Sequence, residues 1–244
     1  SVNLFNNSMD YKESSFDLER EGFDITGNFS LSEYISQSVS YSLEARNVKP
    51  RTGASASIFS EQGQTQLSEF STSISVNTTD NNQIPTEGYN LSTSAGLAGI
   101  GGDKKFVKLN NRGDYYLSFN DDGIIVGFNY NSGVIMGIDQ DILISDRFVL
   151  GGSSFRGFKQ SGIGPRDTVT NDSLGGNIFY TGSVKANFGI GLPPELGLRG
   201  NWFATFGSLT GVDSNAVTTY EDDASIRLST GVGVSWNSPF GPIS

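Results

Sequence analysis

Apolar side chains return at every second position through most of this chain, and a period of two restricts it to β structure. Ile35, Val39, Tyr41, Leu43 and Ala45 alternate with Ser36, Ser38, Ser40, Ser42 and Glu44. Phe70, Thr72, Ile74 and Val76 alternate with Ser71, Ser73, Ser75 and Asn77. The same pattern places Val107, Leu109, Tyr115, Leu117 and Phe119 on one face and Lys108, Asn110, Arg112 and Asp114 on the other. It returns at 178–190, where Lys185 falls on the polar face, and at 198–206, where Phe203 and Thr205 do. The last repeat spans 226–236. Roughly ten strands are expected, most about ten residues long, against the ~5–6 usual in soluble domains. Val2 to Asp10 reads as a poor strand remnant. Val48 to Leu67 reads as a loop in which Ala54 to Phe59 could pair as a strand. Tight turns are expected at Asn120 to Gly123 and at Pro193-Pro194.

A polar face this rich in Lys, Arg, Asn and Gly suits a wet lumen, with the apolar face against lipid. The expected fold is therefore all-β, a transmembrane antiparallel β-barrel, with a soluble sandwich as the alternative. Tyr115, Phe128, Tyr180, Trp202 and Trp236 then read as lipid or interface anchors. No run of about 20 apolar residues exists to cross a bilayer as a helix.

The 244 residues include neither Cys nor His. That removes disulfides, thiolate sites, Ser-His catalysis and the commonest transition-metal ligand. No catalytic residue, cofactor or metal site is expected, and a barrel enzyme is the least favoured class. Cation binding by the acidic stretch Glu221 to Asp223 is a minor alternative to a solvated loop. A net charge of −10 argues against a nucleic-acid partner. The chain begins at Ser1 and stops at Ser244 just after the apparent start of a strand, so both ends read as cuts in a longer protein.

One segment, Arg147 to Asp167, breaks the alternation. Its centre is a single cation, Arg156, between Phe155 and Phe158, with Gly157 free to turn sharply. A long loop carrying one basic residue among many strands reads as functional; an ordinary loop with a solvated Arg is the plain alternative.

Phe155-Arg156-Gly157-Phe158 resembles the V-R-G-F motif of the Omp85 superfamily of outer-membrane barrels, with Phe in the first position. Gly162-Ile163-Gly164-Pro165 resembles the run that follows it in the assembly-factor branch. Pro85 to Tyr89, Gly99 to Asp103 and Trp236 to Ile243 resemble further family turns, in family order, so the resemblance covers nearly the whole chain. It implies that residues 1–244 are about 10–12 strands of a sixteen-stranded barrel. A loop at about 151–175 would fold into the lumen, while the POTRA domains and the closing strand would lie outside this chain. It also implies acids on the two following strands as partners of Arg156, but this chain has Lys185 and Thr205 there. Arg156 is therefore expected to bond backbone carbonyls or another lumen acid, with Asp114 and Glu44 as candidates by parity.

The implied function is non-enzymatic insertion and folding of β-barrel proteins in the bacterial outer membrane. The implied partners are the lipid bilayer, unfolded outer-membrane clients and accessory subunits reached through the POTRA domains. Two-partner secretion or TamA-like translocators of the same superfamily are alternatives. So is a passive porin in which Arg156, Lys185, Arg199 and Arg227 set ion selectivity.

Overall fold

The computed structural model describes residues 1–119, 123–193, 196–213, 219–238 and 241–243. Thirteen strands are numbered in chain order: β1 (Val2–Tyr11), β2 (Phe16–Ser30), β3 (Ile35–Pro50), β4 (Gly63–Asn77), β5 (Gly88–Ala98), β6 (Phe106–Phe119), β7 (Ile124–Gly137), β8 (Arg166–Asp167), β9 (Ile178–Gly189), β10 (Leu198–Thr210), β11 (Tyr220–Glu221), β12 (Arg227–Ser238) and β13 (Gly241–Ile243). All but β8 and β11 form one antiparallel sheet in which each strand pairs with the next. The two short strands pair with each other and join two loops. The sheet is open, with β1 and β13 at its edges. Of the expected turns, Asn120 to Asp122 and Pro194 lie outside the described residues, as do Pro239 and Phe240 of the last motif.

Register carries the apolar face across the whole sheet. Tyr41 lies opposite Phe70, Phe70 opposite Leu97, and Leu97 opposite Val107. Tyr115 then faces Phe128, Phe128 faces Val184, and Val184 faces Ala204. These side chains are not packed away: Phe70 is 44% exposed, Phe128 43% and Trp202 41%. A bare apolar surface this wide is what a bilayer covers.

Two stretches differ from expectation. Val2–Tyr11 is a full strand paired along its length with β2. Its alternation is blurred because Met9 and Tyr11 face the polar side, where Tyr11 stacks on Phe16 with centroids 4.7 Å apart. Residues 54–59 do not pair as a strand. β3 continues to Pro50, and Ala56–Ser60 forms one short helix whose Ser55 side chain accepts from the Ile58 amide. Ile58 is buried in a cluster with Phe16, Leu18, Val48, Ile144 and Leu174. Tertiary burial of one apolar side chain thus outweighs the local β pattern.

The core lies on the polar side of the sheet, beneath the connection from β7 to β9, residues 138–177. All three buried clusters contain residues from it: Ile144 and Leu174 in one, Ile142 in the next, Leu150, Phe155 and Ile163 in the third. The connection is thus a packed strap, longer than the 151–175 expected.

Glu61 holds one end of this strap, accepting from the Ile144 amide at 2.6 Å. Burial pushes its carboxyl up to about 7 against the pull of that bond. Below about pH 4.5 the group is protonated in both folded and unfolded chains. As pH climbs from about 4.5 to about 7, the unfolded chain ionises first and stability falls; above 7 the loss is complete. Glu61→Gln keeps the acceptor and removes this drop. The variant is expected to match wild type at pH 4 and exceed it by roughly 1–3 kcal/mol at pH 8 in denaturant titrations.

Candidate functional site: the strap tip and the charged face

The motif 155–165 is first a packing device. Phe155 is fully buried against Leu150, Ile163 and Leu209, and meets Phe158 edge to face at 5.2 Å. Gly157 has φ +91°, which an L side chain rarely adopts, and reverses the chain over Ser229. The Gly162 amide donates to the Lys159 carbonyl at 2.9 Å, and the Ile163 amide to the Leu150 carbonyl at 3.1 Å. Gly164, at φ +108°, lies so close to the wall that a Cβ there would meet Leu209 Cδ2 at 2.6 Å. The carbonyl of buried Pro165 accepts from the Leu174 amide at 3.0 Å.

Phe155 packs on Leu209 of β10, and Arg156 reaches Phe203 further along the same strand. Its guanidinium lies over the Phe203 ring, 5.5 Å from the centroid. Phe203 is opposite Lys185 in the β9–β10 register, and Thr205 is opposite Ser183. Arg112, Asp114, Arg156, Lys185, Phe203 and Thr205 all line one cavity of about 390 Å³.

The expected acceptor for Arg156 is not there. Among the described residues no carboxylate or carbonyl bonds its guanidinium. Asp114 shares the cavity, but its oxygens accept from Arg112 Nε at 3.1 Å and Asn129 Nδ2 at 2.6 Å. Glu44 lies in another group altogether, accepting from Arg20 Nη2 at 2.6 Å and pairing with Arg46. Each acid is satisfied by cations on its own or the adjoining strand, closer than the strap tip can reach.

That second group escapes sequence reading. Asp146, on the strap, pairs with Arg46 of β3 and accepts from Lys104 Nζ at 2.8 Å. Its backbone carbonyl takes Lys108 Nζ at 3.2 Å, while the same ammonium lies 4.5 Å from the Phe148 ring centroid. The Asp146 and Lys104 side chains are only 4% and 3% exposed. Burial lowers the Lys104 ammonium's affinity for its proton, and Asp146 opposes this. The only sequence signal was a set of charges at inward positions; their shared partner lies 100 residues from Arg46.

A broad antiparallel sheet, lipid-compatible on one side and strapped across its charged side, is the wall of a membrane β-barrel. The Omp85 superfamily domain matches residues 1–244, and the chain belongs to that superfamily. It is 36% identical over 222 residues to the outer membrane protein assembly factor BamA of Neorickettsia risticii, covering 90% of this chain and 30% of that protein. A SAM50-like protein of Schizosaccharomyces pombe is 31% identical over 195 residues, covering 76% of this chain and 41% of the relative. In three dimensions the chain matches the crystal structure of Haemophilus ducreyi BamA lacking POTRA domains 1–3, with TM-score 0.81 at 17% identity, over 99% of this chain and 53% of that one. CdiB from Acinetobacter baumannii gives 0.58 at 12% identity, over 92% and 37%. The fold is a BamA-like stretch of barrel, and the chain spans less than a third of the Neorickettsia relative.

Proposed function

We propose that this chain is the membrane portion of an assembly factor that folds and inserts β-barrel proteins into a bacterial outer membrane. The carrying observation is the 36% identity, over 90% of this chain, to a protein named as such a factor. The physical work is catalysis of folding without covalent chemistry. A strand edge templates the backbone pairing of an incoming strand, and a disturbed bilayer lowers the barrier to its entry. The strap, with Phe155, Arg156, Gly157, Phe158 and the Gly162-Ile163-Gly164-Pro165 run, holds the barrel in a competent shape. Clients are unfolded outer-membrane proteins, and accessory subunits dock on POTRA domains outside this chain.

The test uses the full-length protein in liposomes presented with an unfolded outer-membrane barrel. Conversion of that client to its heat-modifiable folded form is followed on a gel. Wild type is expected to accelerate folding, and Arg156→Ala to lose most of the acceleration while staying folded. Ion conductance with no acceleration would instead favour a secretion translocator or a porin.

A further inference from the structure

The cavity at the strap tip is lined by three cations, Arg112, Arg156 and Lys185, and by one carboxylate, Asp114. Asp114 is already committed to Arg112 and Asn129. Arg156 and Lys185 are therefore left facing one another's charge with no acid of their own among the described residues. The Phe203 ring offers Arg156 a π face, which attracts a cation without neutralising it. The hydroxyls of Thr181, Ser183 and Thr205 line the same walls and make no hydrogen bond among the described residues. Ser229, opposite Thr205 and against Gly157, has a buried Oγ with no partner. Arg156 is exposed and Lys185 half-buried, and two like charges that share a cavity with no acid between them repel, so a counter-charge entering the site is favoured. Thr181, Ser183 and Thr205 beside the two cations can each donate a hydrogen bond.

We infer that this cavity is a binding site for a small oxyanion, a phosphate or a carboxylate, held between Arg156 and Lys185. Arg156 presents a planar fork that matches two oxygens at once. Lys185 supplies a point charge from β9, beside the Phe203 ring, and the wall hydroxyls donate to the anion's remaining lone pairs. The space is ample for a phosphate. The site would neutralise the strap tip, so that anion occupancy rather than a built-in acid would fix how Arg156 sits.

The experiment titrates the folded protein, in detergent micelles, with inorganic phosphate or with acetate at ionic strength fixed by chloride. The Arg156 Nε–Hε resonance is followed by NMR, and the midpoint of thermal unfolding is recorded in parallel. Wild type is expected to show a saturable shift of that resonance and a rising midpoint. Lys185→Gln should weaken binding about tenfold, the loss of one charge-assisted contact. Lys185→Glu brings its own carboxylate to Arg156 and should abolish the response to both anions while raising the midpoint in chloride alone. Tighter binding of phosphate than acetate would assign the site to dianions, and equal binding to a single carboxylate. A wild-type resonance that moves no more with phosphate or acetate than with chloride would overturn the inference, whether or not the variants fold. So would an unchanged response in Lys185→Gln.

Discussion

Replacing Asp146 by Asn is expected to cost about 3–5 kcal/mol of stability, the range for breaking one partner out of a buried ion pair. The substitution keeps shape and removes charge. Lys104, 3% exposed, and Arg46, 10% exposed, would then be left with only part of their counter-charge. Glu44 would still serve Arg46, but Glu44 is already shared with Arg20. Lys104 would keep only Ser145 Oγ at 3.1 Å. Because the cost is that of a stranded ammonium, adding Lys104→Met should restore part of it. Denaturant titration of both variants in micelles checks the pair, with limited proteolysis of residues 138–177 reporting whether the strap has come away. A single-variant loss below about 1 kcal/mol, or no recovery in the double variant, would show that the group is solvated.

The strands were legible in the sequence because each alternates between two solvents, lipid and lumen, and register then aligns the faces. In β1 the apolar positions change face, from Val2 and Leu4 on the lipid side to Met9 and Tyr11 on the strap side, so the alternation breaks phase and β1 reads as a remnant. The helix at Ala56–Ser60 was lost for a related reason. Ile58 is buried by Ile144 and Leu174, residues far away in the chain that no local pattern reports. The position of the strap and its Arg156 motif could be read, since the break in period two is itself a signal. Its partners could not. Parity puts Asp114, Glu44, Lys185 and Thr205 on the polar face, but parity is silent on distance along the strand. Glu44 and Asp114 were closer to cations of their own. The hub at Asp146 joins β3, the β5–β6 loop and the strap, and only the assembled sheet brings those three together.

Truncating Phe155 to Ala is expected to lower stability by about 3–5 kcal/mol, a transfer loss plus the cavity left behind. The site cannot easily collapse. Gly157 and Gly164, which follow it, are held at positive φ, and Gly164 is already against Leu209. Leu150, Ile163 and Leu209 would each lose a face of contact, and Phe158 would lose its edge-to-face partner. The effect should be local before it is global. The strap is anchored independently at Asp146 and by Ser15 and Ser55, which donate to Asp172 at 2.6 and 2.8 Å. Hydrogen exchange should therefore quicken first at the amides of Gly152 and Ile163, which close the tip by donating to Phe158 and Leu150, while those of β9 and β10 stay protected. Phe155→Leu, which refills most of the space, should cost less than about 1.5 kcal/mol. Arg156 separates this packing role from any charge role. In Phe155→Ala the guanidinium remains but loses its fixed seat over Phe203. If client folding in liposomes falls as far in Phe155→Ala as in Arg156→Ala, the strap acts through where it holds Arg156. If only Arg156→Ala reduces it, the charge acts from a loosened tip as well as from a fixed one.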